Sequence, residues 1–355
     1  MLRWFLRSQV KNMEGTRLSL NLSSINLSPL NNTDTTRAYA FVPASSTTKL
    51  IIFLLLVVVG TVGFIGNSLI YCFISTKSRR FSYLQSSMFV RNFNFYVKSL
   101  ALSDILSCSI SLPLIYIQLM FDVFQQGWPC RIVRYLNLLF PSVTINNLIV
   151  ISTERYFSTR PIPRSFSVSC VRRLIFSAWV VGFTAVIAPT FTFNGVRFDL
   201  DNNRYTVVCK IDNTYLPFRV IFVSYAVLQH VLPSIILICI NISLIKTVWS
   251  RKRSRLMNIQ MNNAIRAKLR AAKRRGTYLL ILITFAFIIP YSWTLYYAVY
   301  VMVVNPTLDF QFDYRIRCLS IVLFFTNSSL NFMIYLVQMN DFRHYVRKVF
   351  CNKVS

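Results

Sequence analysis

Few residues in this 355-residue chain are placed to do chemistry, and those few lie at the middle or the rim of apolar runs. Asp104 is the single formally charged residue inside any of seven such runs. A carboxylate there is costly and by default faces other protein groups. Asn67, Thr144, Asn327, Ser328 and Asn331 are polar residues in the same runs that could surround it. Such a set suits either a closed hydrogen-bonded plug or a hard cation held by oxygens. Glu154 and Arg155, followed by Tyr156, stand where nineteen uncharged residues, Tyr135 to Thr153, come to an end. An acid beside a base where a helix leaves the membrane keeps a strong charge pair poised at the water boundary, and a plain membrane-edge pair is the simpler account of it. Enzyme chemistry has no footing: the chain lacks HExxH, GxSxG and a glycine-rich phosphate loop, and Asp104 has no second intramembrane acid. A seven-span transporter or proton-handling protein is the alternative class, but only Asp104 and His230 could relay protons, and no paired interrupted helices occur in two halves.

The elements that hold these residues follow from composition. Hydrophobic residues make up 54% of the chain and charged residues 14%, with mean hydropathy +0.49. A soluble protein would carry about a quarter charged residues. The runs are Leu50–Thr76, Ser99–Met120, Tyr135–Thr153, Leu174–Gly195, Val220–Ile245, Gly276–Met302 and Cys318–Asn340. Each is long enough for a helix crossing a hydrocarbon core of about 30 Å. The net charge of +28 comes largely from segments between the runs. Segments 77–98, 154–173, 246–275 and 341–355 carry 25 of the 39 Lys and Arg residues and only two acids. That is a positive-inside bias, so these segments are expected in the cytoplasm, and nucleic-acid binding is rejected. The stretch Lys246 to Arg275 alone has eleven basic residues and no acid. It either meets anionic lipid or holds a cytoplasmic partner.

Residues 1–49 are expected to form an unstructured, glycosylated outer tail, with acceptor triplets at Asn21, Asn26 and Asn31. Residues 50–339 form the spanning domain. Residues 340–355 form an amphipathic helix along the inner membrane face and a short tail, with Cys351 placed for palmitoylation. In the loop after the fourth run, two alternating segments flank the turn-forming Asp199 to Asn203, as in a β-hairpin.

Several marks fall in order on successive runs. They are Gly66-Asn67 with Leu69, Leu100-Ala-Leu-Ser-Asp104, and Cys130 with Glu154-Arg155-Tyr156. Trp179 and Pro189 follow, then Pro233, Pro290, Asn327 through Tyr335, and Phe342. In this the chain resembles the rhodopsin-like (class A) G-protein-coupled receptors over roughly Leu50 to Cys351. The resemblance implies an all-α membrane protein, a seven-transmembrane helix bundle with a short membrane-surface helix 8. It implies a plasma-membrane receptor, amino end outside and carboxyl end inside, that binds an extracellular ligand and activates heterotrimeric G proteins. It also implies a sodium ion in the Asp104 cluster and a Cys130–Cys209 disulfide, which an oxidising compartment favours. Arg155 is expected to pair with Glu154 at rest and to meet the G protein on activation, with Tyr335 turning in beside it and Asn331 part of the switch. The hairpin is usual among the family's peptide receptors.

Departures bear on the switch. Phe332 stands where the family has proline, Ile288 where it has tryptophan, Thr284 where it has phenylalanine, Asn241 where it has tyrosine, and Arg270 where many members have an acid. These leave room for a ligand-binding member that does not signal. Asn137 replaces the aspartate of amine receptors, and Phe325 occupies the retinal-lysine position, so neither a monoamine receptor nor an opsin is expected. Candidate ligand contacts are Asn137, Gln229, Tyr291, Trp293, Tyr297 and Phe325, within an aromatic mouth that also includes Tyr296 and Tyr300. Outer acids Asp199, Asp201, Asp212, Asp309 and Asp313 point to a short peptide with basic residues. A small molecule or lipid is the other option, and an interfacial aromatic belt is the plainer account of the same aromatics.

Overall fold

The computed structural model describes residues 38–41, 44–80, 88–158, 166–200, 203–255, 264–304, 306 and 308–351, leaving aside the side chains of 77–80, 89–90, 248–255, 264–274 and 351. The glycosylation triplets at Asn21, Asn26 and Asn31, Asp201, and the side chains of Arg270 and Cys351 lie outside these residues. Among the described residues, seven helices are long and apolar enough to cross a membrane: α1 (Ser46–Thr76), α2 (Arg91–Met120), α3 (Gly127–Ser158), α4 (Val168–Thr190), α5 (Leu216–Thr247), α6 (Arg275–Val304) and α7 (Phe310–Gln338). An eighth, α8, spans Asn340–Cys351.

The helices outrun the uncharged stretches because charged residues at their ends wind into the same helices. Helix α3 takes in Arg131 and Arg134 at one end and Glu154 and Arg155 at the other. Helix α7 begins at Phe310, with Asp309 capping Phe312 N at 3.1 Å, so Asp313 and Arg317 lie on helix rather than loop. The fourth uncharged run outlasts its helix: α4 ends at Thr190, and Phe193–Gly195 already belong to a strand. Short π-helical turns at Ser107–Ser111 and Val227–Val231 immediately precede Leu112-Pro113 and Leu232-Pro233. A proline donates no N–H to the preceding turn, and the wider turn absorbs that break.

Strands β2 (Phe193–Leu200) and β3 (Arg204–Ile211) form the expected hairpin, antiparallel with Leu200 opposite Arg204 and Phe193 opposite Ile211. Asn203 takes the left-handed turn at φ 55°. Strand β1 (Ala38–Tyr39), too short to leave a sequence pattern, pairs parallel to β3 and ties part of the tail expected to be unstructured to the hairpin. Helix α8 is amphipathic as expected; Phe342 is buried between Phe73 and Phe332, at ring distances of 5.4 and 6.2 Å, while Val349 and Phe350 stay exposed. The outer face is apolar, with Phe176, Leu228 and Ile289 about two-thirds exposed, while polar residues such as Asn67, Asp104, Asn147 and Arg155 are buried among the apolar core. Exposed apolar side chains and buried polar ones are what a lipid surround requires.

Candidate functional site

At the hairpin end, α3, α5, α6, α7 and β3 enclose a cavity of about 170 Å³. The Cys130–Cys209 disulfide joins the start of α3 to β3 and holds the hairpin across the bundle mouth. Arg134, one turn beyond Cys130, donates from Nη2 to the Cys209 carbonyl at 2.8 Å. Asn137, Tyr291 and Tyr297 line the cavity, as the sequence suggested. The other three candidates do not. Gln229 turns to the Ser142 carbonyl at 3.4 Å, and Phe325 is sealed behind Phe324 at a ring distance of 4.9 Å. Trp293 faces outward, as do Tyr296 and Tyr300, each about half exposed, which is the placement an interfacial belt would require. Helical periodicity accounts for this, since of the aromatics on α6 only those facing α5 and α7 can turn inward.

The outer acids separate in the same way. Asp199 pairs with exposed Arg197 at 3.1 Å, Asp212 accepts from Thr214 and Asp309 caps α7. Among the described outer acids only Asp313 reaches the cavity, where Tyr297 donates to its Oδ1 at 2.8 Å and Arg317 Nε lies 2.9 Å from its Oδ2. Arg134, Lys210 and Arg317 also line the wall. Their basic character was visible in the sequence, but their convergence was not, because it depends on the hairpin register and the early start of α7.

Below lies a second, smaller cavity of about 20 Å³, room for one water-sized occupant. Asp104 sits there, accepting from Ser328 Oγ at 2.9 Å and from Asn331 Nδ2 at 2.7 Å. Thr144 instead meets the Ser103 hydroxyl at 3.1 Å. Asn67 does not reach Asp104; its Nδ2 donates to the carbonyls of Gly63 and Ser328, each at 2.9 Å, tying α1 to α7. Ser107 joins the lining from the π-helical turn, a residue that sequence reasoning passed over. Asp104, Ser107, Thr144, Asn327 and Ser328 form a hard-oxygen set, and the buried Asn327 Oδ1 has no hydrogen-bond partner, so the residues fit a small hard cation. The two cavities share Tyr291 and Phe324 as a common wall. Tyr291 stacks on Phe287 at 5.4 Å, so an aromatic floor exists despite Ile288.

At the opposite end Glu154 and Arg155 are both buried. Asn92 Nδ2 donates to Glu154 Oε1 at 2.6 Å and to the Phe166 carbonyl at 2.9 Å. The Arg155 guanidinium carbon lies 5.0 Å from the Phe93 ring centre. Asn92 and Phe93, both on α2, are therefore partners of the pair that the sequence reading missed. Tyr156 packs edge-on against Phe157 at 5.8 Å. Tyr335 is already inside the bundle, buried, with no hydrogen-bond partner for its hydroxyl. Trp179 donates to Ser99, and Ser99 to Asn147, at 3.0 and 3.1 Å, linking α4, α2 and α3.

Residues 66–335 match the family of 7 transmembrane receptors (rhodopsin family). The chain belongs to that family. A probable G-protein coupled receptor 19 of Rattus norvegicus is 27% identical over 294 residues, 81% of this chain and 64% of that protein. Its Homo sapiens counterpart is 30% identical over 204 residues, 55% of this chain and 45% of that protein. A rhodopsin described as GQ-coupled, from Mizuhopecten yessoensis, is 26% identical over 212 residues, 53% of this chain and 40% of that protein. This chain thus spans less than two thirds of these relatives. Squid rhodopsin shares the fold with a TM-score of 0.67 at 16% identity, covering 90% of this chain and 91% of that one. A rhodopsin-family receptor is not an enzyme, and the polar network just described lies within its seven helices.

Proposed function

We propose that the chain is a plasma-membrane receptor that binds an extracellular ligand in the larger cavity and activates heterotrimeric G proteins at the Glu154–Arg155 end. One observation carries this reading. A buried Arg155 and a carboxylate held by Asn92 sit at one end of a bundle whose other end encloses a disulfide-braced cavity. Basic residues cluster at the Arg155 end, which supports a cytoplasmic carboxyl terminus and an outer amino terminus. The hairpin over the mouth agrees with a ligand as large as a short peptide, one end of which would enter the cavity. Activation would release Glu154 from Asn92 and expose Arg155 to the G protein. Asn331 and Tyr335 would rearrange beside it, and Tyr156 would keep its place at the rim. Asp104, Thr144, Ser328 and Asn327 would hold a sodium ion that favours the resting arrangement, a charge that offsets the buried carboxylate. Glycans at Asn21, Asn26 and Asn31 and palmitate on Cys351 complete the membrane placement.

A second reading, ligand binding without signalling, draws on α7 running unbroken through Phe332. Guanine-nucleotide exchange separates the two. Membranes bearing the protein should accelerate exchange on at least one G protein, and Arg155→Ala should abolish it. No acceleration in the presence of a confirmed ligand would sink the signalling reading.

A further inference from the structure

The larger cavity carries a charge imbalance. Three cations, Arg134, Lys210 and Arg317, face one carboxylate, Asp313. That carboxylate is already shared between Tyr297 and Arg317. Arg134 spends Nη2 on the Cys209 carbonyl, and its buried Nε meets no acceptor. Arg317 Nη2 is likewise buried without a hydrogen-bond partner. Lys210 rests its ammonium 4.0 Å above the Phe198 ring, a contact that supplies no counter-charge. Buried cations left short of acceptors are expensive, and an anion placed among them removes much of that cost. Most of the remaining wall is apolar, with Leu138, Phe193, Phe222, Leu295, Met302 and Phe324, and neutral polar residues such as Gln118, Asn137 and Thr294 interrupt it.

We infer that the ligand entering this cavity carries an anionic head, a carboxylate or its equivalent, on an apolar body about the size of one aromatic ring. The head would lie among Arg134, Lys210 and Arg317, where guanidinium forks suit a carboxylate. The body would lie on Phe193, Phe222 and Phe324. A volume of about 170 Å³ sets the size, since a cavity of roughly 150 Å³ takes a benzene-sized molecule. This reverses the expectation of a ligand with basic residues, because three of the four described outer acids, Asp199, Asp212 and Asp309, do not line the wall. The inference rests on the cavity being the ligand site, as proposed above, and not on G-protein coupling. The same chemistry could arrive as a free small acid or as the carboxyl-terminal residue of a peptide.

The test uses the full chain in nanodiscs of neutral lipid. Saturation-transfer NMR compares 3-phenylpropionate with its amide and with 3-phenylpropylamine, and a tetrapeptide ending in phenylalanine with its amidated form. Expected is binding of at least one acid at least about tenfold tighter than its amide, with no saturable binding of the amine. Arg317→Gln and, separately, Lys210→Gln on the hairpin should each erase most of that preference. If the free acid wins, the ligand is a small acid; if only the peptide acid binds, it is a peptide terminus. Equal affinity for acid and amide, preference for the amine, or no saturable binding of either acid overturns the inference. Nucleotide exchange is read in parallel. Acid binding without exchange defeats the signalling proposal and leaves this one standing, whereas exchange driven by a cationic agonist does the opposite.

Discussion

Gly66 on α1 faces Phe332 on α7, the residue that replaces the family's proline, and this contact can be tested by adding one carbon. A Cβ at Gly66 would overlap Phe332 Cγ and lie 2.5 Å from its Cβ and 2.7 Å from its Cδ2, where ordinary contact is 3.4–4 Å. Rotating the ring relieves the Cδ2 overlap but not the Cβ one, which is fixed to the α7 backbone. Helices α1 and α7 must therefore separate by about 1 Å, which strains the Asn67 to Ser328 and Ser329 to Val59 hydrogen bonds between them. Overpacking costs about 1–3 kcal/mol, and a backbone-anchored clash belongs near 3 kcal/mol. Equilibrium unfolding in mixed micelles, followed through the buried thiols of Cys108 and Cys318, would measure it for Gly66→Ala. In a Phe332→Gly background, which removes that Cβ as well as the ring, the same substitution should cost under about 1 kcal/mol, giving a coupling energy of about 2 kcal/mol. An equal cost in both backgrounds would show that Phe332 is not what excludes a side chain at Gly66.

Phe332→Pro should be tolerated better than the ~3 kcal/mol usual for a mid-helix proline. The carbonyl it would free, Ser328 O, already accepts from Asn67 Nδ2, and pairing it with Asn67→Ala should restore the full penalty in the same unfolding assay. Asn92→Ala removes the donor that holds Glu154, a bond to a charged group worth about 1.5–3 kcal/mol. Basal nucleotide exchange should rise about tenfold or more, and lost stability with unchanged exchange would make Asn92 a scaffold residue only. Burial lowers the pKa of Lys210, with Asp313 and Asp212 opposing and Arg317 adding to the shift. Its charge is present below the shifted pKa and is lost as pH rises, earlier than for an exposed lysine. Affinity for an acid probe should therefore fall on the alkaline side, and Lys210→Arg should move that fall to higher pH in the NMR titration.

What was legible in the sequence was what one-dimensional pattern can carry. Uncharged length locates α1 to α7, and the alternation around Asp199 to Asn203 locates the hairpin, because span length and strand period are local properties. Asp104 with Ser328 and Asn331 was also within reach, since an intramembrane acid needs partners and few polar residues are available. The large cavity was not. Trp293, Tyr296 and Tyr300 read as a mouth only until the rotation of α6 is known, and that rotation is set by packing against α5 and α7. Charge was misread for a related reason: acids were weighed by their presence in outer segments, while the wall is decided by Cys209 pinning β3 beside Arg134. Asn92 carried no signal at all. A polar residue in a basic loop-like segment announces nothing until α2 is seen to begin before it and bring it against Glu154.

The aromatic wall that the two cavities share is also the floor of the larger one, which gives ligand binding a physical route to Asp104. Tyr291 and Phe324 border both, 5.6 Å apart at their ring centres, and Tyr291 is braced by Phe287 and by His230 at 4.6 Å. An apolar body seated on Phe324 has to move that pair or select one of its positions, and either changes the small space beside Asp104. Coupling of this kind needs a second arrangement that the polar groups can accept. Asn327 Oδ1, Asn331 Oδ1 and the Tyr335 hydroxyl are buried without hydrogen-bond partners, which is spare capacity that another packing of α7 could satisfy. Because linkage is reciprocal, whatever an acid in the upper cavity does to the occupancy of the lower one, an occupant of the lower one must do to the affinity for that acid.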